Sequence, residues 1–360
     1  MDAKVDRMRT EMPVQDDKIS VRPEEQDEVV LLETKALGKK IWTVGGGKGG
    51  TGKSVITANL GLGLAVMGHK VILVDGDLGG SDLHLFLNVP LPRRNLSDFL
   101  GKEFDALDEV LIPTPNENLK IICGGGELLG MANLPYQRKE KLKRHIANLD
   151  ADIVMVDLGA GTSYNTLDLF ALSSEGIVVC TPDPMARIDA YAFVKNSTYR
   201  RLLRAFSNNE RVKRAIVHFG ANPGRKSAKI VDLLRLIRAV DRDCGKMAAK
   251  LLADFHPKLI LNKVRKKSQL NEVDRFLSLV WEYLSVRMEY IGYIENDGRV
   301  VEACERTRPF LIEYPRARAA ENIYSILFKL GVKDRTLRFT KERPKKMSKG
   351  LKAESKYWRD

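Results

Sequence analysis

The sequence predicts an α/β fold: a doubly wound, mostly parallel sheet with helices on both faces, three layers in all. Three observations predict it. Short apolar runs, Ile41-Trp42-Thr43-Val44, Val71-Ile72-Leu73-Val74 and Ile153-Val154-Met155-Val156, are as continuous as buried parallel strands require. Helical patterns alternate with strands to about Leu330, and the short connections call for right-handed crossovers. Between the first run and the first helix stands Gly47-Lys48-Gly49-Gly50-Thr51-Gly52-Lys53-Ser54, which fits G-x-x-x-x-G-K-[ST].

That loop defines the first chemistry. The preceding run reads as a strand, and Ser54 to Met67 reads as a helix whose N-terminus would meet an anion. Glycine N–H groups in such a loop cradle phosphates. Gly47, Gly49, Gly50, Thr51, Gly52, Lys53, Ser54 and Val55 are therefore the expected nucleotide-binding residues. Lys53 would reach the terminal phosphates, and the Ser54 hydroxyl would hold Mg²⁺, so ATP and Mg²⁺ are the expected cofactors.

The acids come next. The second run ends at Asp75-Gly76-Asp77, and the third at Asp157 followed by Leu158-Gly159-Ala160-Gly161. Carboxylates at the carboxyl ends of parallel strands face the ligand crevice. Asp75 and Asp77 alternate as in a strand, so both would face Mg²⁺ and an attacking water. Asp157 stands at the Walker B position, where an acid organises the metal's shell, with a glycine-bearing switch behind it. Ser54, Asp75 and Asp157 are thus the expected metal-site residues.

Lys48 puts a second lysine in the loop. Lys-Gly-Gly-x-Gly-Lys-Ser resembles the deviant Walker A motif of the MinD/ParA class of ATPases, P-loop NTPases of the SIMIBI type. The resemblance implies that Lys48 crosses to a partner subunit's nucleotide, making ATP the glue of a homodimer, by the logic of an arginine finger in trans. It also implies that Asp77 positions the hydrolytic water, that Asp75 sits in the metal's second shell, and that Asn262 reads adenine with its amide. It covers most of residues 40–330. Asn95-Leu96-Ser97-Asp98-Phe99-Leu100, Leu119-Lys120-Ile121-Ile122 with Gly124-Gly125-Gly126, and Thr181-Pro182-Asp183-Pro184 with Ile188-Asp189-Ala190-Tyr191 look like the FlhG (FleN, YlxH) branch. So do Leu261-Asn262-Lys263-Val264-Arg265, Glu289-Tyr290-Ile291-Gly292-Tyr293-Ile294 and Arg308-Pro309-Phe310. That branch contains ATP-dependent dimerising regulators of flagellar number and placement.

Two features depart from the branch. Roughly fifty residues, about Phe206 to His256, intervene before the Asn262 strand, too many for a structureless loop. Val231, Leu233, Leu234, Leu236, Ile237 and Val240 fit an amphipathic helix, so the segment reads as a small helical insertion. Its neighbourhood is basic: Arg200, Arg201, Arg204, Arg211, Lys213, Arg214, Arg225, Lys226 and Lys229, then Lys263, Arg265, Lys266 and Lys267. The N-terminal region also lacks the Asp-Gln-Ala-x-x-Leu-Arg element with which many FlhG proteins stimulate the flagellar GTPase.

Organisation and composition complete the reading. Residues 1–36 are rich in charge and poor in large apolar side chains, and read as a flexible arm. Residues 37–335 form the expected ATPase domain, with about 206–256 the basic helical insertion, and 336–360 a basic tail. Lysines and arginines number 60 against 47 acids, a net charge of +13, which keeps non-specific DNA open as a partner surface. The start lacks a signal-peptide core and no apolar run approaches a membrane span, so a cytoplasmic protein is expected. The tail carries few large apolar residues before Tyr357 and Trp358, so any membrane contact would be peripheral, electrostatic and weak.

Cys123, Cys180, Cys244 and Cys304 have no C-x-x-C spacing, which argues for reduced thiols and against an iron–sulfur carrier of the Mrp type. His69, His84, His145, His218 and His256 show no metal-ligand spacing, and no Ser-His-Asp or Cys-His set is detectable. The function the sequence points to is a Mg-ATP-dependent dimerising switch with slow hydrolysis, governing position or number of a large, flagellum-like assembly with a protein activator or cargo. A DNA-binding partition ATPase and a non-catalytic nucleotide-binding regulator stay open beside it.

Overall fold

A computed structural model describes residues 39–90, 92–125, 134–221 and 229–336. The N-terminal arm, the tail beyond Thr336, and Gly126, Arg225 and Lys226 lie outside these residues. The chain runs through β1 (Lys40–Gly45), α1 (Lys53–Val66), β2 (Val71–Asp75), α2 (Leu96–Gly101), β3 (Ile112–Pro113), β4 (Leu119–Ile122), α3 (Tyr136–Asn148) and β5 (Ile153–Asp157). It continues through α4 (Tyr164–Phe170), β6 (Ile177–Cys180), α5 (Pro184–Ala205), α6 (Glu210–Ala221), α7 (Ile230–Val240) and α8 (Arg242–Ala253). Then come β7 (Lys258–Val264), α9 (Val273–Leu284), β8 (Glu289–Glu295), α10 (Gly298–Glu305), α11 (Phe310–Glu313) and α12 (Arg318–Lys329).

The described strands form one eight-stranded sheet in the order β3-β4-β2-β5-β1-β6-β7-β8. Every pairing is parallel except β3 with β4, a two-residue edge strand carrying Pro113. A proline has no N–H for a ladder, which suits it to an edge. Strands β2 and β5 are buried throughout, as expected where helices cover both faces.

The two faces carry separate cores. On one, α1 packs with α11 and α12 over Trp42, Leu73, Met155 and Ile291. On the other, α2, α3, α5 and α9 cover Val74, Val154 and Val178, with Phe170 and Phe193 meeting edge to face at 4.8 Å. In α12, Ala320, Ile323, Tyr324, Ile326 and Leu327 are all buried, the face the sequence suggested. Cys123 and Cys180 are buried too, and burial pushes both thiols up to about 12, so they are inert filler.

Helices α6 to α8 occupy the stretch between α5 and β7 and have a core of their own. Val212, Ile216, Phe219, Ile230, Leu233, Ile237, Ala248 and Leu252 close on Leu202 and Phe206 at the end of α5. In α7 the buried stripe is Ile230, Leu233 and Ile237, whereas Val231 and Leu236 are partly exposed, so the apolar face is narrower than its composition.

The basic neighbourhood of this segment is not one patch. Arg200 Nε and Arg204 Nη1 face Asp168 Oδ1 at 2.7 and 3.2 Å, and Lys139 Nζ meets Asp168 Oδ2 at 2.7 Å. Arg204 Nη2 also reaches Glu140 at 2.7 Å. Arg201 donates to the Ser173 carbonyl and stacks on Phe255 at 4.2 Å. Lys213 pairs with Glu210, and Lys229 with Glu282. A helix face that reads as solvated in sequence is in part a buried ion network, because its acidic partners come from α3 and α4.

Candidate nucleotide site

Three strand ends converge on the loop between β1 and α1. Strand β1 lies between β5 and β6, where the strand order reverses, and a crevice opens there at the carboxyl ends of such strands. Gly52 adopts φ +89 at the start of α1, and Asn262 packs so closely that a Cβ there would collide with its amide. Both the dihedral and the space demand glycine.

The loop's two lysines have opposite environments. Lys53 is buried near Asp82 and Asp157, whose carboxyls its charge stabilises. Lys48 is exposed at the rim beside Asp183. A cavity of about 390 Å³ opens between Lys48, Gly49, Gly50 and Thr51 on one side and Lys263, Arg265, Gln269 and Asn296 on the other.

The acids divide by what they touch. Asp157 is fully buried, and its Oδ1 accepts from Thr57 Oγ1 at 3.0 Å, while Oδ2 is buried with no hydrogen-bond partner. Burial first, and the neighbouring Asp75 second, push its carboxyl up to about 8, against the pull of the Ser54 hydroxyl and Lys53. An orphaned carboxylate oxygen beside a serine hydroxyl is the donor set a hard divalent cation needs, so Ser54 and Asp157 fit Mg²⁺.

Asp75 is differently occupied. Its Oδ2 accepts from Ser81 Oγ at 2.6 Å and Leu83 N at 3.2 Å, and its Oδ1 from Asp77 N at 3.2 Å. It anchors the loop that carries Asp77, and burial raises it to about 6 despite those bonds. Asp77 is half-buried, accepts from Gly79 N at 3.1 Å, and lies against the loop after β5. A Cβ on Gly159 would stand 2.9 Å from Asp77 Oδ1, so glycine is what lets the carboxylate approach. Gly161 N donates to the Gly46 carbonyl at 3.2 Å, tying that loop to the loop of the two lysines.

Asn262, at the tip of β7, donates from Nδ2 to the Thr51 carbonyl at 2.7 Å, and its Oδ1 accepts from Lys263 N at 2.8 Å. In this structure its amide is directed at the phosphate loop. Three further residues join the site that sequence reasoning did not single out. Thr57 holds Asp157. Asp82 lies close to Ser54, Asp77 and Lys53, with burial raising its carboxyl above the usual range. Lys263 reaches the Gly50 carbonyl at 2.8 Å. Thr57 lies one helical turn from Lys53, a spacing that was legible; Asp82 and Lys263 arrive through folded loops and left no local signal.

Fold and site together define a P-loop NTPase. Residues 38–198 match the family model described as "ParA: NUBPL iron-transfer P-loop NTPase". The chain is 25% identical over 285 residues to the antiactivator FleN of Pseudomonas aeruginosa, covering 78% of this chain and 82% of that one. It is 30% identical over 279 residues to a putative septum site-determining protein MinD of Tupiella akineta, covering 76% and 72%. The septum site-determining protein MinD of Pyrococcus horikoshii OT3, solved with Mg-ADP, shares the fold at TM-score 0.53 and 20% identity, over 81% of this chain and 96% of that one. The chain belongs to the ParA/MinD family of P-loop NTPases. Among the described residues, no helix is long and apolar enough to cross a membrane.

Proposed function

We propose that this protein is a Mg-ATP-dependent dimerising switch of the FlhG-like kind, which hydrolyses ATP slowly to release a partner or surface. The observation that carries the reading is the opposed placement of Lys48 and Lys53 in one loop. Lys53, buried, serves the nucleotide of its own protomer. Lys48, exposed at the rim, is free to serve the nucleotide of a second copy, where positive charge stabilises the charge that develops on the transferred phosphoryl group.

The remaining residues take roles consistent with their geometry. Asp77, against the switch loop at Gly159, orients the attacking water; Asp157 and Ser54 hold the cation; Asp75 fixes the loop between them. Mg²⁺, when bound, neutralises phosphate charge. The assembly positioned by such a switch is a flagellum-like one, a reading supported by the 27% identity over 206 residues to the flagellum site-determining protein YlxH of Helicobacter pylori. The DNA-binding alternative loses support from the surface, because Arg200 and Arg204 are spent on Asp168 and Glu140. Sedimentation velocity tests the proposal: wild type should dimerise with Mg-ATP and not with ADP, and Lys48→Ala should bind ATP yet stay monomeric. A Lys48→Ala protein that dimerises and turns over normally would refute it.

A further inference from the structure

Strand β7 ends irregularly. Its register with β8 shifts between Leu261 and Val264, and Lys263 within that shift adopts φ +58, a conformation that L side chains other than asparagine and aspartate seldom take. The bulge brings two successive side chains onto two successive carbonyls of the phosphate loop. Lys263 Nζ donates to the Gly50 carbonyl at 2.8 Å, and Asn262 Nδ2 donates to the Thr51 carbonyl at 2.7 Å.

A trans peptide sets its N–H opposite its carbonyl. Holding the Gly50 carbonyl toward β7 therefore turns the Thr51 N–H away from β7. Holding the Thr51 carbonyl turns the Gly52 N–H the same way. These are loop N–H groups of the kind that cradle phosphate in a G-x-x-x-x-G-K-[ST] loop.

We infer that Asn262 and Lys263 are positioning residues that strap the phosphate loop from behind, pre-aiming the Thr51 and Gly52 N–H groups at the nucleotide's phosphates before it binds. The inference rests on the nucleotide-binding reading above, and it gives Asn262 a task at the phosphate end of the ligand as well as any at the base. Pre-organised donors need no reordering when the anion arrives, so the strap acts on affinity for phosphate. Lys263 is the stronger half, because an ammonium-to-carbonyl bond is charge-assisted. Its exposed side chain makes it the half most easily removed without disturbing the core.

The test compares Mg-ATP with Mg-tripolyphosphate, which has the phosphates and no base, by calorimetry on the full chain. Lys263→Gly deletes the side chain while tolerating the positive φ, Lys263→Arg restores a cation, and Asn262→Ala removes the second bond. The strap predicts that Lys263→Gly weakens ATP and tripolyphosphate alike by about tenfold, the worth of one charge-assisted hydrogen bond, and that Asn262→Ala weakens tripolyphosphate as well as ATP by a smaller factor, its bond being uncharged. Lys263→Arg should recover most of the loss. In the nucleotide-free protein, hydrogen exchange of the peptide spanning residues 47–55 should quicken in Lys263→Gly while the melting temperature holds. Unchanged tripolyphosphate affinity in both variants, or an Asn262→Ala loss confined to ATP, would overturn the strap. A wild-type protein that binds neither ligand would instead overturn the nucleotide reading beneath it.

Discussion

Two clusters of charge in this molecule look alike in sequence and behave oppositely in the fold. At Asp168 a buried carboxylate meets Lys139, Arg200 and Arg204, and Arg204 goes on to Glu140. At the phosphate loop, Asp157 is buried with one oxygen unpartnered, and Lys48 stands exposed. Burial opposes ionisation at both, but hydrogen bonds from Arg200 and Lys139 hold Asp168 down at about 2, whereas Asp157 rises to about 8. Charge that is satisfied inside the chain is structural. Charge left unsatisfied where several strand ends converge is waiting for a ligand.

The comparison breaks first at Asp168. Asp168→Ala leaves three buried or half-buried cations without their shared partner and should cost about 3–5 kcal/mol of stability in urea unfolding, with ATP affinity unchanged in the folded fraction. A loss under about 1 kcal/mol would place that cluster among ordinary surface pairs. The counterpart at the loop is Lys53→Ala, which should lower ATP affinity by roughly a hundredfold or more and leave the fold intact. Tight ATP binding by a folded Lys53→Ala protein, measured by calorimetry, would contradict the phosphate-loop assignment.

Acid sharpens the difference. Asp168 has a folded pKa of about 2, below its unfolded value, so its contribution is full above pH about 4 and is lost as pH falls toward about 2. The loss should be on the order of 2 kcal/mol and should vanish in Asp168→Asn, as followed by stability against pH. The smallest effect belongs to the surface of α6: Lys213→Gln breaks an exposed pair with Glu210 and should change stability by less than about 0.5 kcal/mol. A larger change would mean that this helix carries more of the fold than its exposure implies.

What was legible in the sequence follows the same division. The loop from Gly47 to Ser54 and the strand-end acids were readable because their spacing is local, and the structure brings them to one crevice. The antiparallel β3 was not, since two residues with a proline give no strand pattern. Arg200 and Arg204 read as an exposed basic run because their partners, Glu140 and Asp168, lie 64 and 32 to 36 positions away in the chain. Lys263 reads as one more surface lysine, and only the bulge in β7 turns it onto Gly50. Asp82 carries no motif in the sequence, and only the loop anchored by Asp75 brings it close to Ser54.

The central claim is that the unsatisfied cluster is a switch completed by a second copy of the chain. It is tested most directly by sedimentation velocity of Asp77→Ala with Mg-ATP. On the proposed role of Asp77 in orienting the water, its removal while Lys48 and Lys53 remain should trap the ATP-bound dimer, so Asp77→Ala should sediment as a persistent dimer with ATP and as a monomer with ADP. An Asp77→Ala protein that binds ATP and stays monomeric would contradict the account.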